Sequence, residues 1–152
     1  MQKVLIAIDY NPVSEKVAKQ GYELAKKLNC EVCLIHVVTD ESYYEMSYSE
    51  FMGYVPVKDD IEKIKKADEL HKVGIELLSS ATEFLKDPNV QTHVAEGDTA
   101  QAILKYADEW QADLIVMGTH SHKSLEKIFL GTVASKNIEE TNIPVHLISV
   151  KR

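Results

Sequence analysis

The segment Leu114–Val133, LIVMGTHSHKSLEKIFLGTV, holds the residue types that can grip an anion. An apolar run, Leu114-Ile115-Val116-Met117, stops at Gly118, and Gly131-Thr132 opens a second patterned stretch. Glycine lets the backbone leave a strand with no Cβ in the way. A strand that stops at Gly, followed by a Gly-Thr pair at a helix start, is a layout for holding phosphate on backbone N–H groups. Thr132 adds a hydroxyl and can cap a helix from Val133 onward. Lys123 and Lys127 flank the segment with charge that can neutralise a phosphate. The spacing is neither G-x-G-x-x-G nor a P-loop, so a plain strand–loop–helix connection with glycine at two turns is the alternative.

Other residues can do chemistry only in the right company. Asp9 closes the apolar run KVLIAI. Its carboxylate can accept from a ribose or a Mg²⁺-bound water, or serve as the Asx residue of a turn. His120 and His122 bind a metal only if a third ligand converges, such as Asp9 or Glu126; otherwise they are polar loop residues. His36, His93 and His146 fall in strand-like runs with no paired nucleophile and read as packed residues. Ser14, Ser121 and Thr132 lack the G-x-S-x-G setting of a hydrolase nucleophile. Cys30 and Cys33 are spaced C-x-x-C, but at a strand entrance, away from the helix N-terminus that stabilises a thiolate. Residues three apart on a strand face opposite sides, which predicts one Cys near the surface and one in the core. No nucleophile–base pair is complete, so an efficient enzyme is not the expectation.

These residues must be carried by regular elements. Lys3–Ile8 and Glu31–Val38 are short continuous apolar runs, the pattern of strands buried on both faces. Between them Val17, Ala18, Gly21, Leu24, Ala25 and Leu28 recur at helical spacing, with Ser14 as N-cap and Asn29 as the stop. A long amphipathic helix is predicted over Asp60–Leu85, ended by Asp87-Pro88-Asn89. Val90–Ala95 reads as a third, more polar strand nearer an edge. A helix carrying Ala100, Ile103, Leu104, Ala107 and Trp110 leads to the fourth strand, Leu114–Met117. A last helix carries Val133, Ala134 and Ile138, and Ile143–Val150 is the fifth strand. Strands alternating with helices imply a parallel sheet with right-handed crossovers and helices on both faces. Ligands of such sheets bind at the carboxyl ends of the strands, where the strand order reverses. Asp9, Val38 and Gly118 all sit at such ends.

Bulk properties narrow the classes. The 152 residues are 45% hydrophobic and 27% charged, the size and composition of one globular domain, 1–152. A formal net charge of −7 disfavours nucleic acid, whose binding needs a basic face. No apolar run approaches the roughly 18 residues of a spanning helix, so no membrane partner is expected. The start MQKVLIAID has no long apolar stretch before Asp9 and reads as a first strand, which makes the cytoplasm the expected location.

The chain resembles the universal stress protein family over essentially its whole length. The resemblance rests on KVLIAID, on HVV, on EGDTAQAILKYADEWQADLIVMGTHS and on LGTVASKNIEETNIPVHLI. The family's ATP-binding subgroup carries G-x2-G-x9-G-[S/T]. Gly118 fits its first position, Gly131-Thr132 its end, and Ser121 stands where the second Gly belongs. A Ser there adds a Cβ, costing about 1 kcal/mol or more at positive φ, and also a hydroxyl donor. The resemblance implies a doubly wound, Rossmann-like α/β sheet of five parallel strands in the order 3-2-1-4-5. It implies ATP or ADP as ligand, with Mg²⁺ arriving on the phosphates. Asp9, with Ala7 before it, would lie by the ribose or phosphate region, and Val37 or Val38 by the adenine. Met117 and Gly118 would line the ribose side. His120, Ser121, His122, Gly131, Thr132 and Val133 would surround the phosphates. The family's other branch binds no nucleotide and uses the fold as an interaction module.

Two segments bear on partners. The stretch from Asp40 to Asp59 is rich in Tyr, Met and Ser without a clear period. It leaves from the end of strand 2, so a lid, a partner surface and a mobile loop are all open readings. The last strand, Ile143–Val150, is apolar for an edge, and such an edge invites pairing with another chain. Two-fold pairing of that strand with its own copy agrees with the homodimer that the resemblance implies; an unknown protein partner is a further option.

Overall fold

A computed structural model describes residues 2–9, 14–38, 67–119 and 132–149, with the side chains of 67–69 and 132–135 left aside. The predicted segment 40–59 and the loop residues His120, Ser121, His122 and Gly131 lie outside the described residues, as do Lys123, Glu126 and Lys127.

The strands form where apolar runs can be covered on both faces. They are β1 (Lys3–Ala7), β2 (Glu31–Val38), β3 (Gln91–Glu96), β4 (Leu114–Gly118) and β5 (Val145–Ile148). All pair in parallel, in the order β3-β2-β1-β4-β5. Among the described residues four helices alternate with them: α1 (Ser14–Lys27), α2 (Ala67–Leu85), α3 (Thr99–Trp110) and α4 (Thr132–Glu140). The expected doubly wound α/β sheet is therefore the observed one.

The period of two along each strand splits the core into two layers. Val4, Ile6, Leu34 and Val116 face α1 and α2, meeting Val17, Ala18, Leu70, Val73, Leu77 and Ala81. Leu5, Cys33, Ile35, Ile115 and Met117 face α3 through Ile103 and Ala107. On α1, Gly21 lets the helix press onto the sheet: a Cβ there would stand 3.0 Å from Ile6 Cδ1 and 3.1 Å from Val116 Cγ1. α3 starts where Asp98 Oδ2 accepts from the Gln101 N–H at 3.0 Å, and ends with Gln111 in the left-handed region at φ 61°.

Several boundaries differ from the sequence expectation, each for a local reason. β5 is shorter than Ile143–Val150. The Ile143 N–H donates to the Thr141 hydroxyl at 2.9 Å and Pro144 has no N–H, so pairing begins only where the Pro144 carbonyl accepts from Ile115. β3 begins one residue later than Val90, whose N–H closes a turn onto the Asp87 carbonyl. Leu28, expected on the apolar stripe of α1, lies past its end and is 51% exposed. Both cysteines are buried and free, which corrects the expectation that one lies near the surface. They do face opposite layers, Cys30 toward α1 and α2 and Cys33 toward α3.

Candidate functional site: the crevice at the strand ends

The strand order reverses between β1 and β4, and their carboxyl ends bound the crevice where such sheets take ligands. Ala7 ends β1 and is followed by Ile8 and Asp9, Val37 and Val38 end β2, and Met117 and Gly118 end β4 and are followed by Thr119. The sheet register thus gathers residues distant in sequence at one end. The Thr119 N–H donates to the Ile148 carbonyl at 2.9 Å, so the chain stays tied to β5 as it leaves β4. α4 runs back from that end, and Thr132 and Val133 open its first turn, where unsatisfied N–H groups and the positive end of the helix dipole lie.

Side chains at the strand ends differ in what they offer. Val37 and Val38 are buried on opposite faces of the sheet, Val37 toward α3 and Val38 toward α1 and α2. Met117 is also buried, packed in the α3 layer. Gly118 and Asp9 are half-buried. Asp9 is the one predicted contact among these whose side chain carries charge.

Around Asp9 the structure is specific. Ser14, which the sequence pattern makes the N-cap of α1, stands at the described start of that helix, and its hydroxyl turns back to the strand end. The Asp9 N–H donates to Ser14 Oγ at 3.1 Å, and the Ser14 hydroxyl donates to Asp9 Oδ1 at 2.7 Å. His36 is packed as expected, 1% exposed on β2. Its Nδ1 lies 3.1 Å from the Ile8 carbonyl. Burial holds its pKa below the usual histidine range, opposed by the Ile8 carbonyl and by the charge of Asp9.

Among the described residues, His93, His146 and the two cysteines do not converge on the crevice. His93 stacks flat on Tyr106 with ring centroids 3.8 Å apart, and burial lowers its pKa. Burial pushes the Cys33 thiol up to about 11, so it is no thiolate nucleophile at neutral pH. Tyr106, whose hydroxyl lies 3.7 Å from Cys33 Sγ, is raised to about 12, chiefly by burial. His146 is exposed on β5. Among the described residues no three His, Cys, Asp or Glu side chains are grouped to hold a metal ion.

Sequence reasoning missed Asn137. It is fully buried on α4, with Nδ2 3.8 Å from Met117 Sδ and no hydrogen-bond partner for Oδ1 among the described residues. Ile138, which the apolar pattern places inward, is 44% exposed instead. A polar residue at the inward position of a short amphipathic helix carries no periodic signal of its own.

A doubly wound parallel sheet with an acidic side chain and a glycine at its switch point defines the class of α/β proteins that bind ligands over strand ends. Within that class, the chain belongs to the universal stress protein family, whose pattern it matches over residues 1–149. It is 33% identical to the universal stress protein MJ0531 of Methanocaldococcus jannaschii, over 97% of this chain and 81% of that protein. It is 31% identical to the universal stress protein YxiE of Bacillus subtilis, over 96% of this chain and 97% of that one. Among solved structures, MJ0577 of M. jannaschii superposes with a TM-score of 0.71 at 23% identity, covering 99% of this chain and 97% of that one. A universal stress protein from Archaeoglobus fulgidus in complex with dAMP aligns with a TM-score of 0.62 at 20% identity, over 97% and 98% of the two chains. Another universal stress protein, in complex with cAMP, aligns at 0.63 and 15% identity, over 99% and 98%. These structural likenesses carry the fold.

Proposed function

We propose that this chain binds an adenine nucleotide, ATP or ADP, with Mg²⁺ carried on the phosphates, and acts as a nucleotide-dependent regulator rather than an efficient enzyme. The observation that carries the reading is the crevice between β1 and β4, with the fixed Asp9 on one side and Gly118 on the other. A carboxylate suits ribose hydroxyls or a metal-bound water. A glycine at the end of β4 allows a close approach to backbone, and the first turn of α4 opens at the same end of the sheet for phosphate. The dAMP and cAMP complexes of proteins with this fold support an adenine nucleotide as the ligand class. The sequence supports the phosphate half through Ser121, Gly131 and Thr132. We place the protein in the cytoplasm as a homodimer paired through β5.

Calorimetry of the purified chain with ATP, together with analysis of any nucleotide released on denaturation, tests this reading. Saturable heat is expected, and Gly131→Val removes it while leaving the far-ultraviolet circular dichroism unchanged. No released nucleotide and no heat at millimolar ATP would leave the fold as a pure interaction module.

A further inference from the structure

The peptide unit joining Ile8 to Asp9 is where β1 leaves the sheet. The Ile8 N–H makes a last ladder bond to the Ile35 carbonyl at 3.0 Å. Both polar groups of the next peptide unit are met by buried side chains. The Ile8 carbonyl accepts from His36 Nδ1–H at 3.1 Å, and the Asp9 N–H donates to Ser14 Oγ at 3.1 Å. A carbonyl oxygen only accepts, so neutral His36 carries its proton on Nδ1. The Ser14 hydroxyl in turn donates to Asp9 Oδ1 at 2.7 Å, which fixes the carboxylate's rotation as well as its backbone.

The two side chains come from different elements, His36 from β2 and Ser14 from the first turn of α1. They are 1% and 6% exposed, and with Asn137 they are the buried polar side chains among the described residues. Burying a polar side chain is costly unless it is hydrogen-bonded, so two of them committed to one peptide unit mark a place where orientation matters. His36 is itself gripped from behind: a Cβ added at Gly74 of α2 would stand 3.1 Å from its Cδ2.

We infer that Ser14 and His36 are positioning residues that clamp the Ile8–Asp9 peptide and hold the Asp9 carboxylate ready for ligand at the crevice. The inference rests on the nucleotide reading for its purpose and on the hydrogen bonds alone for its existence. The clamp removes the ordering that a free aspartate would undergo on binding, a loss worth about fivefold to tenfold in affinity.

The experiment pairs two readouts on the full chain: hydrogen exchange at the Asp9 amide, and ATP affinity. Ser14→Ala is expected to speed Asp9 amide exchange about tenfold, with core amides such as Ile6 and Leu34 unchanged, and to weaken ATP about fivefold to tenfold. Ser14→Thr, which keeps the hydroxyl, restores both. His36→Asn, which keeps an N–H donor near the Nδ1 position, binds ATP better than His36→Leu. In an Asp9→Ala background, Ser14→Ala costs no further affinity, because Ser14 acts through Asp9. Unchanged Asp9 exchange in Ser14→Ala overturns the clamp. Faster exchange with full ATP affinity overturns its positioning role. If the unaltered chain takes up no nucleotide, the nucleotide reading and the positioning role both fail, and the exchange arm still decides whether the clamp exists.

Discussion

His36 is a neutral imidazole kept in the core, and that state has a pH signature. Its folded pKa lies below the ordinary 6.5 because burial penalises the charged form. The unfolded chain therefore takes up a proton first as the pH falls. Stability is full above about 6.5 and declines below it, with a limiting slope of about 1.4 kcal/mol per pH unit for each such group. His93 is shifted the same way, again mainly by burial, and adds to the slope. Asp87 acts in a separate, more acid window: the Asn89 N–H and the Tyr22 hydroxyl hold its pKa below 3.8, so its contribution is lost only on further acidification. Urea unfolding between pH 8 and 5 is expected to show the decline, and His36→Asn to flatten it. A His36→Asn slope equal to that of the unaltered protein would mean that His36 does not set the decline. At this scale the sequence is only partly legible. His36 can be read as packed because it sits in an apolar run, but its bond to Ile8 depends on the parallel register of β1 and β2. Asn137 and Ile138 exchange their expected places because α4 is short, and two adjacent positions of a helix both lie near the boundary of its buried face.

At the scale of elements, α1 lies close on the sheet because Gly21 has no side chain. A leucine there would have to displace Ile6 and Val116, both fully buried. Gly21→Leu is expected to lower the unfolding free energy by about 1–3 kcal/mol in urea, the usual cost of overpacking. An equal or higher midpoint would mean that α1 can shift outward freely. The strands are legible because continuous apolar runs have few alternatives in a sheet covered on both faces. Their ends are less so. Pro144 and the Thr141 hydroxyl shorten β5, and Ser14 at the start of α1 also serves the strand end at Asp9. Caps and strand ends are decided by hydrogen bonds between distant segments, which periodicity does not record.

At the scale of the molecule, the sheet has β3 and β5 at its edges. Along β3, the exposed Gln91, Thr92 and Glu96 interrupt any apolar edge. Val145 and Leu147 on β5 are half-exposed, and among the described residues β5 pairs only with β4. Pairing with a copy of itself would cover an apolar edge of that kind. Light scattering is expected to report a dimer at micromolar concentration, and a monomer would contradict it. No described helix is long and apolar enough to cross a membrane.

In the proposed complex an adenine nucleotide sits over the carboxyl ends of β1 and β4. Its most direct test is an ATP titration followed by backbone amide shifts. Saturable changes are expected at Ile8, Asp9, Gly118, Thr119 and the first turn of α4, with little change at the opposite ends of the strands, around Lys3, Glu31 and Leu114. Changes confined to those opposite ends, or none at millimolar ATP, would contradict it.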